Sequence, residues 1–191
     1  MRVGLFFGSF NPVHIGHLAL ANYMVNETEI EQVWFIVSPH NPLKNKNQLL
    51  NQNDRLQLVN LALDFHPTIK ASNFEFDLPQ PSYTINTLVR LKEKYPQHEF
   101  CLIMGQDNLQ SFGKWKNYEE ILKRYHIYVY PRPNCSASEF DGHPNVHLTE
   151  APLMDISSTF IRQAIKEKKD VRFFVHPKVW EEIDTMNYYK K

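Results

Sequence analysis

Short apolar runs alternate along the chain with longer segments in which apolar residues recur at helical spacing. Four runs, at residues 3–7, 33–37, 100–104 and 127–130, are apolar at nearly every position, which predicts strands buried on both faces. Between the runs, three triplets show helical spacing: Ile15, Leu18 and Ala19; Leu56, Val59 and Leu63; Ile85, Leu88 and Val89. Because buried strands joined by amphipathic helices form a parallel sheet with helices on both faces, the pattern predicts a doubly wound α/β fold.

Weaker patterns predict further elements around this sheet. A strand is expected at about residues 69–76, where polar and apolar side chains alternate, and a last strand at 146–148. Segment 117–124 begins with Asn and has Glu three residues later, which predicts a capped helix. Two more helices are expected to open at Ser157 and at His176, which precedes a proline.

Composition narrows the classes of protein that are compatible with this fold. The chain has 191 residues, and its 21 Lys and Arg balance 21 Asp and Glu, so the formal net charge is zero. Binding to nucleic acid or to an anionic membrane depends on excess positive charge, so neither partner is expected. Two cysteines make no disulfide framework, and no apolar stretch reaches the roughly 18 residues of a membrane span. We therefore expect one domain over residues 1–191, located in the cytoplasm.

The segment after the first strand, GSFNPVHIGH at residues 8–17, is the first candidate for chemistry. His14 and His17 lie three residues apart on the first turn of a helix, so both face the end of the strand. Together with the free N–H groups of the helix start, two imidazoles make a site for phosphate, and Gly16 allows close approach of a ligand or of backbone. The alternatives are a turn with two incidental histidines, and a zinc site to which His40 would contribute.

A second candidate is the segment ISSTFIR at residues 156–162. Its hydroxyl side chains are strong N-cap candidates at a helix start, which again is a place where anions bind. Arg162 follows Ser158 by one helical turn and projects from the same face, where its guanidinium can bind two phosphate oxygens. Taken alone, the segment also fits an ordinary capped helix. The sequence has neither a GxGxxG motif nor a Walker loop, so a Rossmann dinucleotide site and a P-loop are not predicted.

The two segments together resemble the paired signatures of the HxGH nucleotidylyltransferase superfamily. Within it, the chain is similar to the bacterial nicotinate-nucleotide adenylyltransferase family over essentially its whole length. The intermediate segments that carry this similarity are SPHNPLK at 38–44, PSYTINTL at 81–88, MGQDN at 104–108, Trp115, and Arg132 with Pro133. The resemblance implies the Rossmann-like nucleotidylyltransferase fold. It also implies that nicotinate mononucleotide attacks the α-phosphorus of ATP, with Mg²⁺ bound through the ATP phosphates, to give deamido-NAD and pyrophosphate.

The resemblance further implies which residues form the site. His14, His17 and Arg162 would be catalytic, with His17 nearest the phosphoryl group that is transferred. The residues implied in ATP binding are Gly8, Ser9, Phe10, His14, His17, Gly105, Asp107, Arg132, Ile156, Ser157, Ser158, Thr159 and Arg162. Those implied in mononucleotide binding are Asn41, Lys44, Tyr83, Thr84, Asp107 and Trp115. No side chain is implied as a metal ligand.

This reaction accounts for the lack of an obvious nucleophile or base in the sequence. The attacking phosphate oxygen is already ionised and pyrophosphate leaves with Mg²⁺, so positioning and charge stabilisation suffice. Trp115 would stack on the pyridinium ring. The helix that opens after Tyr83 and Thr84 would bind the nicotinate carboxylate at its N-terminus, which favours the acid over the amide.

Four alternatives differ in the acceptor, in the nucleotide that is transferred or in the class of protein. The same transfer to nicotinamide mononucleotide or to phosphopantetheine keeps the chemistry, whereas a cytidylyltransferase lacks support because its RTxGIS-like signature is missing. A catalytically silent nucleotide-binding module is disfavoured because both His14 and His17 are present.

The chain departs from the family pattern at one position. Asn134 follows Pro133 where the family often has Gly, although Asn tolerates positive φ better than most residues. The sequence is compatible with either a monomer or a homo-oligomer.

Overall fold

The computed structural model describes residues 1–39 and 49–190. Its centre is a six-stranded parallel sheet in the order β3-β2-β1-β4-β5-β6. The strands are β1 Arg2–Gly8, β2 Gln32–Val37, β3 Ile69–Ser72, β4 Glu99–Gly105, β5 Ile127–Tyr130 and β6 Val146–Leu148. This strand order is that of a doubly wound α/β sheet, so the predicted fold class is confirmed.

Seven α-helices surround the sheet in the described residues. They are α1 Ile15–Glu27, α2 Gln52–Leu63, α3 Thr84–Lys94, α4 Gln106–Gln110, α5 Tyr118–Arg124, α6 Ser158–Lys166 and α7 Pro177–Thr185. Short 3-10 turns follow α4 at Phe112–Lys114 and precede α7 at Arg172–Phe174. No helix among the described residues has both the length and the apolar composition to cross a membrane.

The sheet separates two apolar clusters, which is why its strands are apolar at nearly every position. In β1, Phe6 packs on one side with α1, α2, α6 and α7, whereas Val3 and Leu5 pack on the other side with α3, α4 and α5. Alternate residues of a strand point to opposite faces, so a strand covered on both faces is apolar throughout. Helix α1 buries Ala21 and Met24 most deeply, and the predicted triplet at its start is only partly buried.

Two local predictions are corrected by the structure. The strand expected at residues 69–76 ends at Ser72, because the chain then turns, with Ser72 Oγ accepting from Phe74 N at 3.3 Å and Asn73 O accepting from Phe76 N at 2.9 Å. Helix α5 has the predicted extent, but the side chain of Asn117 does not cap it. Asn117 instead has a φ of 53°, in the left-handed region that Asn tolerates.

Strand order brings the candidate chemical segments to one edge of the sheet. Strands β1 and β4 are neighbours, and from them the chain winds outward in opposite directions. Ligands of doubly wound sheets bind beyond the carboxyl ends of the strands at this switch point. The loops that follow β1, β4 and β5 all lie there.

Candidate active site

A cavity of about 790 Å³ opens at the carboxyl edge of the sheet, between the loop after β1 and the start of α6. Most of the residues expected from the sequence line it: Gly8, Ser9, Phe10, His14, His17, Thr84, Asp107, Trp115, Arg132, Ile156, Ser157, Ser158, Thr159 and Arg162. Gly105 and Tyr83 are not among its lining residues. Asn41 and Lys44 lie outside the described residues, as does His40.

The two histidines of the first segment stack on each other at the start of α1. Their ring centroids are 3.6 Å apart at an interplanar angle of 25°, and the edge of Phe10 packs against the His17 ring. The backbone N–H of His14 donates to His17 Nδ1 at 3.2 Å, so this nitrogen is an acceptor. In a neutral imidazole the proton is then on Nε2, which makes His17 Nε2 a hydrogen-bond donor.

His14 is buried and contributes no charge at neutral pH. Burial, reinforced by the positive charge of Arg132, lowers the pKa of His14 to about 4. Its Nδ1 is buried and has no hydrogen-bond partner within residues 1–39 and 49–190. His14 therefore supplies a polar ring and not a cation to the predicted phosphate site.

Gly16 makes room for the ring of His14. A Cβ atom on this residue would lie 3.1 Å from both Cε1 and Nδ1 of His14, which is closer than side chains normally pack. The sequence predicted that Gly16 allows close approach, and the approaching group is the neighbouring imidazole.

Helix α6 joins the second candidate segment to the first. Ser157 is its N-cap, with Oγ accepting from Phe160 N at 3.1 Å, as the sequence predicted. Ser158 Oγ donates to Pro12 O at 2.9 Å, and Arg162 Nη1 donates to Asn11 O at 2.9 Å. The two anion sites expected from the sequence are thus held together by direct hydrogen bonds and face one cavity.

On the opposite wall, an ion pair joins the loops after β4 and β5. Arg132 Nε lies 3.6 Å from Asp107 Oδ1, and the guanidinium lies 5.4 Å from the centroid of the Tyr130 ring. A Cβ atom on Gly105 would lie 2.4 Å from Asp107 Oδ1 and 3.2 Å from Arg132 Cγ. Gly105 therefore leaves space for this pair instead of lining the cavity. Asn134 has a φ of 59°, so the turn after Arg132 takes the conformation that glycine would favour.

Trp115 and the start of α3 form the remaining wall. Trp115 is partly buried and packs on Phe112 with ring centroids 5.4 Å apart. Thr84 is the first residue of α3 and lines the cavity, so the N-terminus of this helix is close to it. Tyr83 is the N-cap, but its side chain makes no cap hydrogen bond and its ring is 40% exposed, with Lys116 Nζ 4.3 Å from the centroid. Tyr83 is thus not a lining residue of the cavity, and its part in mononucleotide binding stays a prediction.

Glu75 is a wall residue that the sequence analysis missed. Its side chain is buried and accepts a hydrogen bond from Thr87 Oγ1 at 2.8 Å. Burial raises its pKa, while hydrogen bonds from Thr87, Ser38 and Ser82 act in the opposite direction. Glu75 therefore connects the end of β2, the loop before α3 and α3 itself. A charged residue between two phenylalanines was the available signal.

Arg55 was also missed, although it organises the floor of the site. It is fully buried in α2, and its guanidinium donates to four backbone carbonyls: Ser9 O at 2.7 Å, Ser38 O at 2.8 Å, Pro39 O at 2.9 Å and Leu50 O at 2.9 Å. Burial lowers its pKa to about 10, so it stays charged at neutral pH. The loops after β1 and β2 are thereby held to one side chain. The signal in the sequence that could have identified Arg55 was its place on the apolar face of α2, where a charged residue is unusual.

The described residues contain no group of three or more His, Cys, Asp or Glu side chains arranged to hold a metal ion. Asp107 and Glu75 are the carboxylates among the lining residues. Each has a partner within the protein, Arg132 for Asp107 and Thr87 for Glu75. The cavity wall therefore offers hydrogen-bond donors and cations, which suit phosphate groups.

Comparison with known proteins shows the family to which the chain belongs. The family model described as cytidylyltransferase-like matches residues 5–164. The probable nicotinate-nucleotide adenylyltransferase of Flavobacterium psychrophilum is 54% identical over an alignment of 193 positions that covers all of both chains. That of Bacteroides fragilis is 51% identical over 95% of this chain and 90% of its own.

Solved structures with the same fold include two adenylyltransferases. The nicotinic acid mononucleotide adenylyltransferase of Plasmodium falciparum, complexed with NaAD, has a TM-score of 0.81 at 17% identity and covers 99% of this chain and 97% of its own. A putative nicotinate-nucleotide adenylyltransferase from Vibrio parahaemolyticus has a TM-score of 0.74 at 22% identity, covering 100% and 96%. The chain belongs to the cytidylyltransferase-like family, within its group of nicotinate-nucleotide adenylyltransferases.

Proposed function

We propose that the protein transfers the adenylyl group of ATP to nicotinate mononucleotide, which yields nicotinate adenine dinucleotide and pyrophosphate. The observation that carries this proposal is the meeting of His14, His17 and Arg162 in one cavity, in a chain 54% identical to a probable nicotinate-nucleotide adenylyltransferase. The reaction belongs to NAD biosynthesis. Because it consumes ATP, we expect it to take place in the cytoplasm.

The cavity is suited to a reaction in which little proton transfer is needed. The phosphate of the mononucleotide is ionised at neutral pH, so it attacks the α-phosphorus without a general base. Catalysis then depends on holding the two substrates in line and on stabilising the charge that develops on the transferred group. Arg162 supplies a permanent cation, and His17 supplies its Nε2 N–H to a phosphate oxygen. The neutral His14 ring holds His17 in place by stacking.

Mg²⁺ is proposed to enter with ATP, coordinated by phosphate oxygens and water. The carboxylates of Asp107 and Glu75 are already engaged within the protein, which favours coordination by the substrate over coordination by side chains. When bound, the ion would neutralise charge on the pyrophosphate.

The mononucleotide is proposed to bind between Trp115 and the start of α3. Trp115, which lines the cavity, would stack on the pyridinium ring, since an aromatic face attracts a cation. The N–H groups at the start of α3 near Thr84 would receive the nicotinate carboxylate. Such contacts are worth about 0.3–1 kcal/mol when exposed and more when partly buried, so the acid would be preferred over the amide. Asn41 and Lys44 are proposed to contribute to this side by family resemblance.

The test is an assay with ATP, Mg²⁺ and, in turn, nicotinate mononucleotide, nicotinamide mononucleotide and phosphopantetheine, with pyrophosphate and the adenylylated product both measured. We expect turnover with the first acceptor and a lower kcat/KM with the second. The variant His17→Asn tests the role of His17. It keeps a hydrogen-bond acceptor near the position of Nδ1 but removes the Nε2 donor, and it should lower kcat by roughly 100-fold or more. Absence of pyrophosphate with every acceptor would contradict the enzyme assignment, and preference for the amide would contradict the proposed specificity.

A further inference from the structure

Tyr189, which lies beyond the last helix, reaches the back of the cavity wall. Its hydroxyl donates to Asn11 Oδ1 at 2.9 Å, across 178 positions of sequence. Asn11 itself is buried and lines the cavity, whereas Tyr189 is not among the lining residues. A residue outside the cavity lining is therefore hydrogen-bonded to one that belongs to it.

Asn11 connects this tyrosine to the groups that bind phosphate. Its Oδ1 also accepts from Leu50 N at 3.2 Å, and its backbone carbonyl accepts from Arg162 Nη1 at 2.9 Å. Three residues after Asn11 comes His14, the first histidine of the site. A shift of Asn11 would consequently move both the turn that leads to His14 and the guanidinium of Arg162.

The segment after α7 is held in the shape that this contact requires. Tyr188 N donates to Ile183 O at 3.0 Å, and Lys190 Nζ donates to Asp184 Oδ1 at 2.8 Å. Tyr189 has a φ of 62°, a conformation that is uncommon for a bulky residue and costs free energy unless other contacts offset it. Burial also raises the pKa of the Tyr189 hydroxyl, so it remains a donor at neutral and alkaline pH.

We propose that Tyr189 is a positioning residue of the active site, acting through Asn11 on the turn before His14 and on Arg162. The inference rests on the proposed adenylyl transfer, because it assigns these groups to the ATP phosphates. Its specific consequence is that a hydroxyl outside the cavity determines how well ATP is bound and aligned, while the mononucleotide side, near Trp115, is unaffected.

The test compares Tyr189→Phe with Tyr188→Phe. Each variant loses one hydroxyl group from adjacent residues, but the Tyr188 hydroxyl interacts with Asp54 on α2 and Glu182 on α7, whereas the Tyr189 hydroxyl bonds to Asn11. We expect Tyr189→Phe to lower kcat/KM for ATP and to raise the calorimetric Kd for ATP, each on the order of fivefold, with KM for the mononucleotide changed less than twofold. Tyr188→Phe should match the unchanged protein in all three quantities. A uniform structural weakening would not produce this difference between the two substrates.

A double-mutant cycle with Asn11→Ala tests the route of the effect. If Tyr189 acts through Asn11, adding Tyr189→Phe to Asn11→Ala causes no further loss. The proposal is overturned if Tyr189→Phe retains the original Kd and kcat/KM for ATP, if Tyr188→Phe loses as much, or if the two losses in the cycle simply add. Failure of the proposed function looks different. The unchanged protein would then adenylylate none of the acceptors, while the Kd for ATP of the variants would still report whether Tyr189 positions the site.

Discussion

Replacing His14 by Asn should flatten the dependence of folding stability on pH below neutrality. In the folded protein, burial holds the pKa of His14 at about 4, whereas its ordinary value, which applies to the unfolded chain, is 6.5. Between these two values the unfolded state binds a proton that the folded state does not. Stability is therefore complete above pH 6.5 and falls as the pH is lowered towards 4, below which this contribution is constant.

The magnitude follows from the separation of the two pKa values. It corresponds to about 3 kcal/mol over the whole range, of which about 2.5 kcal/mol is lost by pH 4.5. Because His14 is only 5% exposed, little solvent screening reduces this figure. Glu75, whose folded pKa is raised by burial, contributes with the opposite sign, but it does so in both proteins.

The assay is urea unfolding of the original protein and of His14→Asn at pH 7.0 and pH 4.5. We expect the original protein to lose about 2–3 kcal/mol more than the variant between these two conditions. Subtracting the two losses removes the contributions of the other histidines and of the carboxylates. Equal losses in the two proteins would show that His14 is not held neutral by burial, and the interpretation of its ring as an uncharged support for His17 would be wrong.

Three further substitutions test separate parts of the site. Gly105→Ala should push Asp107 away from Arg132 and lower kcat/KM roughly tenfold at nearly unchanged stability, checked by kinetics and thermal unfolding. Trp115→Ala should raise KM for the mononucleotide on the order of tenfold, with little change in KM for ATP, because a stacking surface is lost. Arg55→Lys should lower the free energy of unfolding by about 2–4 kcal/mol, measured in urea, since an ammonium group cannot reach four carbonyls. Unchanged values would contradict each expectation.

The fold and the position of the site could be predicted because they depend on local patterns. The run at residues 127–130 coincides with β5, since a strand covered on both faces is apolar from end to end. The rule that ligands bind beyond the strand ends predicted the place of His14, whereas the pairing of its segment with that of Arg162 came from the family resemblance. The structure joins their segments through Asn11 and Pro12.

What could not be predicted depends on contacts between distant residues. Glu75 was not predicted as a site residue because the strand was expected to continue to residue 76. The strand ends at Ser72, so Glu75 lies in the turn beyond the strand end, where ligands bind. The charge state of His14 follows from its burial and from the proximity of Arg132, neither of which a sequence pattern reveals. The contact between Tyr189 and Asn11 joins residues 178 positions apart, and it forms only in the folded protein.

The contacts of Arg55 have a consequence for how this site can change. All four of its acceptors are backbone carbonyls, which every amino acid possesses. Substitutions at Ser9, Ser38 or Leu50 would leave these carbonyls available. The loops after β1 and β2 can therefore vary in side chain while their backbone paths stay fixed. Pairwise sequence covariation would give no sign of this anchor. A preference for a different adenylyl-accepting substrate could therefore be engineered by exchanging loop side chains, provided that Arg55 is kept.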